Sequence, residues 1–169
     1  RMQVWKVFEN YQNLMKENQI RDINTAMYES TKLLQSVSRK PRYASIIIDE
    51  GQDFSDNAYR LIRALAGEEH PNDIFIVGDS HQRIYRNHPT LSKCGINVRG
   101  RSSILKINYR TTEEIRKYAF ALLNGISFDD LDENSDLGDK CQSLTHGEKP
   151  IVENFENAND EFDFLLHEV

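Results

Sequence analysis

The sequence predicts an α/β fold, a parallel sheet flanked by helices, on three observations. Short apolar runs at 43–48, 74–77 and 104–107 alternate with stretches whose apolar residues recur at helical spacing. The first two runs end in acidic residues, Asp49-Glu50 and Gly78-Asp79. Open α/β sheets place their ligands at the carboxyl ends of their strands, so the chemistry is expected there. The 169 residues are 38% hydrophobic, enough to bury a core in one mid-sized domain or in adjoining parts of two.

The elements follow in order. Val4, Phe8, Tyr11 and Met15 recur at helical spacing, and a second helical stretch carrying Ile23, Met27, Leu33 and Leu34 opens at Asp22, a residue suited to capping. Trp5 with the Phe8 and Tyr11 stripe is expected in the core rather than on a binding surface. Lys40-Pro41 closes this segment, and 43–48 reads as a buried parallel strand. Ser55 caps a helix carrying Ala58, Leu61, Ile62 and Leu65 that ends near Gly67, and 74–77 is a second buried strand. Pro89, Gly95 and Gly100 mark 87–103 as a long loop with a short helix around Leu91. A third strand is expected at 104–107. Thr111 with Glu114 then forms a capping box for a helix whose apolar face is Ile115, Tyr118, Ala119 and Leu122. The acidic stretch 129–139 reads as a solvated linker, 151–155 as a strand, and Asn157 as the start of a helix through Phe162 and Leu166. The sequence contains no internal repeat.

Composition narrows the function classes. A formal net charge of −6 argues against a broad basic surface for nucleic acid, so any such contact is expected to be local. The short basic clusters Arg39-Lys40-x-Arg42 and Arg99-x-Arg101 read as solvated loop ends. Cys94 and Cys141 are far apart and lack CxxC spacing, which disfavours a disulfide framework or zinc site and fits a reducing, intracellular compartment. His88 and His146 add no zinc-ligand pattern to them. Asp130-x-Asp132-x-Asn134 is not a calcium loop, because Ser135 replaces the needed glycine and Cys141 the needed glutamate. No apolar run approaches the roughly 20 residues that span a bilayer, and no signal-peptide pattern opens the chain. The start at Arg1, directly in a helical pattern, suggests a segment of a longer protein.

Three constellations carry chemistry. The run Ile46-Ile47-Ile48-Asp49-Glu50-Gly51-Gln52-Asp53 delivers two adjacent carboxylates from a strand, the arrangement a Walker B strand needs. In nucleotide hydrolysis the first acid, Asp49, holds Mg²⁺ and the second, Glu50, accepts a proton from the attacking water. An isolated Asp-Glu pair more often just ends a strand in a turn. The second run is Gly78-Asp79-Ser80-His81-Gln82-Arg83-Ile84-Tyr85-Arg86. The Gln82 amide can donate to a phosphate oxygen and accept from water, while Tyr85 offers a stacking ring and Arg86 a phosphate contact for nucleic acid. The alternative is a polar loop whose tyrosine packs on the core. The third run, Asn108-Tyr109-Arg110-Thr111-Thr112, sets an arginine suited to an anion and a tyrosine suited to stacking on a purine at the start of a helix. Here too a surface ion pair and a ring covering the sheet stay open.

In this order the three runs resemble the UvrD/Rep-like superfamily 1 helicases. Motif II of that family is matched by Asp49, Glu50, Gln52 and Asp53, motif III by Gly78, Asp79, Gln82, Ile84 and Tyr85, and motif IV by Asn108-Tyr109-Arg110. Gly51 departs from the family, which often has alanine or a larger residue there. The resemblance implies a RecA-like P-loop NTPase fold, with 1–103 as the C-terminal part of the first RecA-like domain and 104–169 as the beginning of the second. It implies ATP and Mg²⁺ as cofactors and single-stranded DNA as partner. Asp49 would bind Mg²⁺, Glu50 would activate water, Gln82 and Arg110 would contact the γ-phosphate, Tyr109 would stack on adenine, and Tyr85 would meet single-stranded nucleic acid. No Gly-x-x-x-x-Gly-Lys-Ser/Thr loop occurs in these residues, so the segment alone is expected not to hydrolyse ATP. Two readings follow: part of an ATP-dependent DNA helicase or translocase, or a helicase-derived binding module without ATPase activity. A phosphate-binding loop upstream of Arg1 would discriminate them.

Overall fold

The structure, a computed structural model, describes residues 2–38, 43–82, 89–123, 128–129, 135–136 and 141–168. In chain order the elements are α1 (Met2–Glu17), α2 (Ile23–Ser36), β1 (Ile46–Ile48), α3 (Asp56–Ala66), β2 (Ile74–Ile76), β3 (Ile107–Asn108), α4 (Glu113–Ala121), β4 (Phe128–Asp129), β5 (Ser135–Asp136), β6 (Gln142–Ser143) and α5 (Ala158–Glu168). Short 3₁₀ turns occupy Gly51–Asp53, Ser80–Gln82 and Leu91–Cys94. The mixture of helices and strands is compatible with the predicted α/β class, but in place of one parallel sheet the described strands form three two-stranded sheets, two parallel and one antiparallel. The chain divides into two compact units, Arg1–Ser102 with Ser127–Asp136, and Ser103–Ile126 with Leu137–Val169.

In the first unit the local signals act as expected at both helix starts. Asp22 caps α2, its Oδ1 accepting from the Thr25 N–H at 2.8 Å, and Ser55 caps α3 by accepting from the Ala58 N–H at 3.3 Å. The two helices pack along each other, and the Ser55 hydroxyl reaches Asn24 Oδ1 at 3.1 Å. β1 and β2 pair in parallel with Ile46, Ile47 and Ile48 opposite Ile74, Phe75 and Ile76. The core comprises Ile48, Tyr59, Leu91, Cys94 and Ile96, with Ile46, Phe54, Ile62, Ile74, Ile76 and Val98 packed around it. Full burial of Leu91 alone contributes about 1.5–3 kcal/mol. The Arg63 guanidinium meets Asp73 at 2.8 Å, joining α3 to the start of β2. Burial pushes the Asp73 carboxyl up, but the bonds from Arg63 and the His70 backbone outweigh it and hold the group below its ordinary value.

Several expectations are corrected here. The strands are not buried on both faces: Ile47 is 75% exposed and its register partner Phe75 is 61% exposed. Strand alternation puts 46 and 48 toward α3 and 47 on the opposite face. The stripe on α1 is not core either, since Val4, Trp5, Phe8 and Tyr11 are all exposed. Helical periodicity identifies an apolar face without supplying a surface for it to pack on. Trp5 instead donates to Glu9 Oε1 at 2.6 Å, and Tyr11 donates to Asp22 Oδ2 at 3.0 Å. Within the expected linker, β4 and β5 pair antiparallel; the rest of 129–139, apart from the strand residues, lies outside the described residues, as does the basic cluster at 39–42. Arg101 of the other basic cluster pairs with Glu69 at 2.9 Å. Both cysteines are free, Cys94 within the core. No helix among the described residues is long and apolar enough to cross a membrane.

The second unit departs further. The third strand is only Ile107–Asn108, no strand forms over 151–155, and the partner of β3 is β6, paired in parallel. The capping residue of α4 is Thr112, which accepts from the Ile115 N–H at 3.4 Å. Thr111 is otherwise engaged, accepting from Asn108 Nδ2 at 2.6 Å. Glu114 accepts from the Gly147 N–H and lies 2.9 Å from His146 Nδ1 rather than closing a capping box. The buried side of α4 is Glu113 and Arg116, while Ile115, Tyr118 and Leu122 are exposed. Arg116 clamps Glu113 with bonds of 2.9 and 2.6 Å, and the Ser143 N–H donates to the same carboxylate at 2.9 Å. This ionic anchor, which apolar periodicity does not register, fixes β6 against α4. The expected last helix is present, with Asn157 Oδ1 accepting from the N–H groups of Asn159 and Asp160.

The anchor makes a pH prediction. The Arg116 guanidinium, then the Ser143 N–H, lowers the Glu113 carboxyl from the ordinary 4.5 to about 2. A carboxylate whose folded value is depressed adds stability that is fully present above its unfolded value and is lost as pH falls toward the folded one. The Ser143 amide resonance should therefore titrate near pH 2, and the transition should vanish in Glu113→Gln. A midpoint near 4.5 in the native chain would show that the clamp does not form.

Candidate functional site

Parallel pairing of β1 and β2 determines where the chemistry-bearing residues leave the first unit. The ladder continues past both strands, with the Val77 N–H donating to Ile48 O and the Gly51 N–H to Val77 O, each at 2.8 Å. The following turns thus emerge side by side, Asp49 and Glu50 heading one and Gly78 and Asp79 the other.

In the first turn Asp49 Oδ1 accepts from the Glu50 N–H at 2.9 Å, and both acidic residues are exposed. Glu50 holds a left-handed backbone, φ 52° and ψ 43°, which costs a non-glycine residue about 1 kcal/mol or more. The chain then enters the 3₁₀ turn Gly51–Asp53, where Gln52 is buried and its Nε2 donates to Glu50 Oε2 at 2.7 Å. Gly51, the position that departs from the expected pattern, is closed by its surroundings. A Cβ there would lie 2.7 Å from Ile76 Cγ2 and 2.8 Å from the Tyr59 hydroxyl, which donates to the Gly51 carbonyl.

In the second turn Asp79 organises the residues after it. Its Oδ1 accepts from the His81 N–H at 3.0 Å and lies 3.1 Å from His81 Nδ1, while Oδ2 accepts from Gln82 Nε2 at 3.0 Å. Burial would raise the Asp79 carboxyl, but the Gln82 amide and the His81 groups prevail and hold it below its ordinary value. The Asp79 N–H donates to Gln52 Oε1 at 2.9 Å. Asp49, Glu50 and the exposed Gln82 thus share one sheet edge. Tyr85 and Arg86 lie outside the described residues.

The second unit carries Tyr109 and Arg110 directly after β3. Asn108 Oδ1 accepts from the Arg110 N–H at 2.9 Å and the Thr111 N–H at 3.2 Å, a side-chain turn that presents both residues. Tyr109 is 83% exposed and Arg110 is exposed. Sequence reading matched Gln52, Asp79 and Asn108 to motifs without giving them a task. A polar side chain within four residues of a strand's end is the signal that could have identified them.

Chemically, two carboxylates beside an amide can hold a hard divalent cation and take up a proton. Among the described residues no three His, Cys, Asp or Glu side chains gather as a metal cage. Mg²⁺ does not require one, since it takes one or two carboxylates with water and phosphate oxygens, so the exposed Asp49 fits it.

The chain is 26% identical over 152 residues to a probable DNA helicase II homolog of Mycoplasma pneumoniae, covering 86% of the chain and 21% of that protein. It is 26% identical over 137 residues to the ATP-dependent DNA helicase UvrD1 of Mycobacterium tuberculosis, covering 71% and 18%. Against the ATP-dependent DNA helicase Rep of Buchnera aphidicola it is 29% identical over 131 residues, covering 69% and 19%. The chain thus spans about a fifth of the length of these curated relatives. The family model described as the UvrD/REP helicase N-terminal domain matches residues 1–88, more than half of the chain and the whole stretch from α1 through both acidic turns. By that match, the chain belongs to the UvrD/REP helicase family.

Proposed function

We propose that this chain is the hydrolysis-sensing part of an ATP-driven motor that moves on single-stranded DNA. The supporting observation is the junction of the Asp49-Glu50 turn with the Asp79–Gln82 turn at the shared edge of β1 and β2. Family membership and relatives named as ATP-dependent DNA helicases support the same reading. In it residues 1–103 are the C-terminal part of a first RecA-like domain, and 104–169 begin the second.

Bound ATP with Mg²⁺ supplies the phosphoanhydride bond and the charge that neutralises the phosphates. Asp49 holds the cation, and Glu50 takes a proton from the attacking water. Gln82 and Arg110 contact the γ-phosphate, where the planar guanidinium stabilises charge developing on its oxygens. Tyr109 stacks on the adenine, Tyr85 stacks on a base of single-stranded DNA, and Arg86 contacts its backbone. The site of action is intracellular, where ATP and DNA are found. The phosphate-binding loop comes from outside these residues.

The test is phosphate release by the full-length protein with and without single-stranded DNA. Turnover within about 1–10³ per second, rising when DNA is added, is expected. A full-length protein that binds DNA but releases no phosphate would establish the binding-module reading instead.

A further inference from the structure

We propose that Gln52 is a positioning residue that ties the Glu50 carboxylate to the backbone of Asp79, so that the water-activating carboxylate and the turn bearing Gln82 move as one body. The inference rests on the reading of Glu50 as the proton acceptor.

The Gln52 amide spans the two turns through opposite ends. Its Nε2 donates to Glu50 Oε2 at 2.7 Å, and its Oε1 accepts from the Asp79 N–H at 2.9 Å. An ionised carboxylate only accepts and a backbone N–H only donates, so a single orientation of a carboxamide satisfies both. A glutamate cannot donate to Glu50, and a methionine of the same length can serve neither partner. The side chain is 3% exposed, so water does not readily replace either bond.

Two further features belong to the same device. Gly78 leaves room for the amide: a Cβ there would stand 2.8 Å from Gln52 Oε1 and 3.3 Å from the backbone nitrogens of Gly51 and Gln52. Glu50 sits in a left-handed backbone conformation that needs its surroundings to hold it, and the 2.7 Å charge-assisted bond from Gln52 does so from the side-chain end. Beyond Asp79 the linkage continues from Asp79 Oδ2 to Gln82 Nε2 at 3.0 Å. A contiguous path of hydrogen bonds therefore runs from Glu50 through Gln52 and Asp79 to Gln82. Such a path lets a displacement of the second turn alter the placement of the Glu50 carboxylate.

The experiment is a double-mutant cycle in the full-length protein, reading kcat and KM for ATP separately. Gln52→Met should lower kcat by roughly 10–100-fold, the usual cost of removing an orienting partner, with KM little changed. In a Glu50→Gln background the same substitution should cause no further loss, because Gln52 acts through Glu50. Gln52→Glu sets a second, buried carboxylate against Glu50 and should lose both turnover and thermal stability. Ile96→Val, a core substitution that costs about 0.5–1.5 kcal/mol without touching the link, is the control on folding: its turnover should stay near wild type below its midpoint, whereas a merely structural role for Gln52 would make loss of activity track loss of stability in both variants. Wild-type kcat in Gln52→Met or Gln52→Glu, or losses that multiply with Glu50→Gln, would overturn the proposal. Wild-type turnover in Glu50→Gln alone would remove the proton-acceptor reading and the proposal with it, a result distinguishable from failure of the link.

Discussion

In the full-length protein Glu50→Gln is expected to lower the turnover of ATP by roughly 10²–10⁴-fold while leaving nucleotide affinity largely intact. The substitution is isosteric. It preserves an oxygen that can accept from Gln52 Nε2, as Glu50 Oε2 does at 2.7 Å, and adds no volume at an exposed position. What it removes is the capacity to take up a proton from water. Cation binding is assigned to the neighbouring Asp49, so the loss should appear in kcat rather than in binding. Phosphate release and equilibrium titration with a fluorescent ATP analogue separate the two. Unchanged turnover would show that the proton goes elsewhere.

The second large effect is expected at Arg110. Arg110→Ala in the full-length protein should reduce kcat by about 10³-fold or more, the range found for arginines that stabilise a transferring phosphoryl group. Arg110→Lys should recover little, because an ammonium cannot reproduce the planar fork that engages two phosphate oxygens. Arg110 is exposed and the turn that presents it is made by the Asn108 side chain with backbone N–H groups, so its removal should leave stability within about 0.5 kcal/mol. Near-native turnover in Arg110→Ala would exclude it from the reaction. Asn108→Ala, by contrast, acts on the turn itself, since Asn108 accepts from both Arg110 and Thr111.

The two halves of the chain differ in how much their sequence disclosed. In the first unit, Asp22 and Ser55 cap the helices expected of them, and the runs around Ile46–Ile48 and Ile74–Ile76 become parallel strands. Those signals are local, depending on a side chain reaching the next turn of its own helix or on a short apolar run between polar turns. In the second unit the capping residue is Thr112 rather than Thr111, and β6 forms where no strand was expected. The cause lies in distant partners: Glu113 accepts from Ser143, and Glu114 from Gly147, each about thirty residues along the chain. Periodicity carries no information about bonds at that separation. It also assigned Trp5, Phe8 and Tyr11 to the core although they are exposed.

For the site, the sequence by itself determined which chemical groups are on hand. Two adjacent carboxylates end one apolar run, a Gly-Asp turn with Gln82 follows another, and Asn-Tyr-Arg follows a third, because residue types and spacing are written in the chain. Only the tertiary structure decided which of these meet and through what. The in-register pairing of β1 with β2 brings residues 27 positions apart within hydrogen-bonding distance, and the buried Gln52 amide occupies the space between them. The physical reason is that a carboxamide's role is set by the two groups it bridges. Those groups become neighbours only once the sheet has formed.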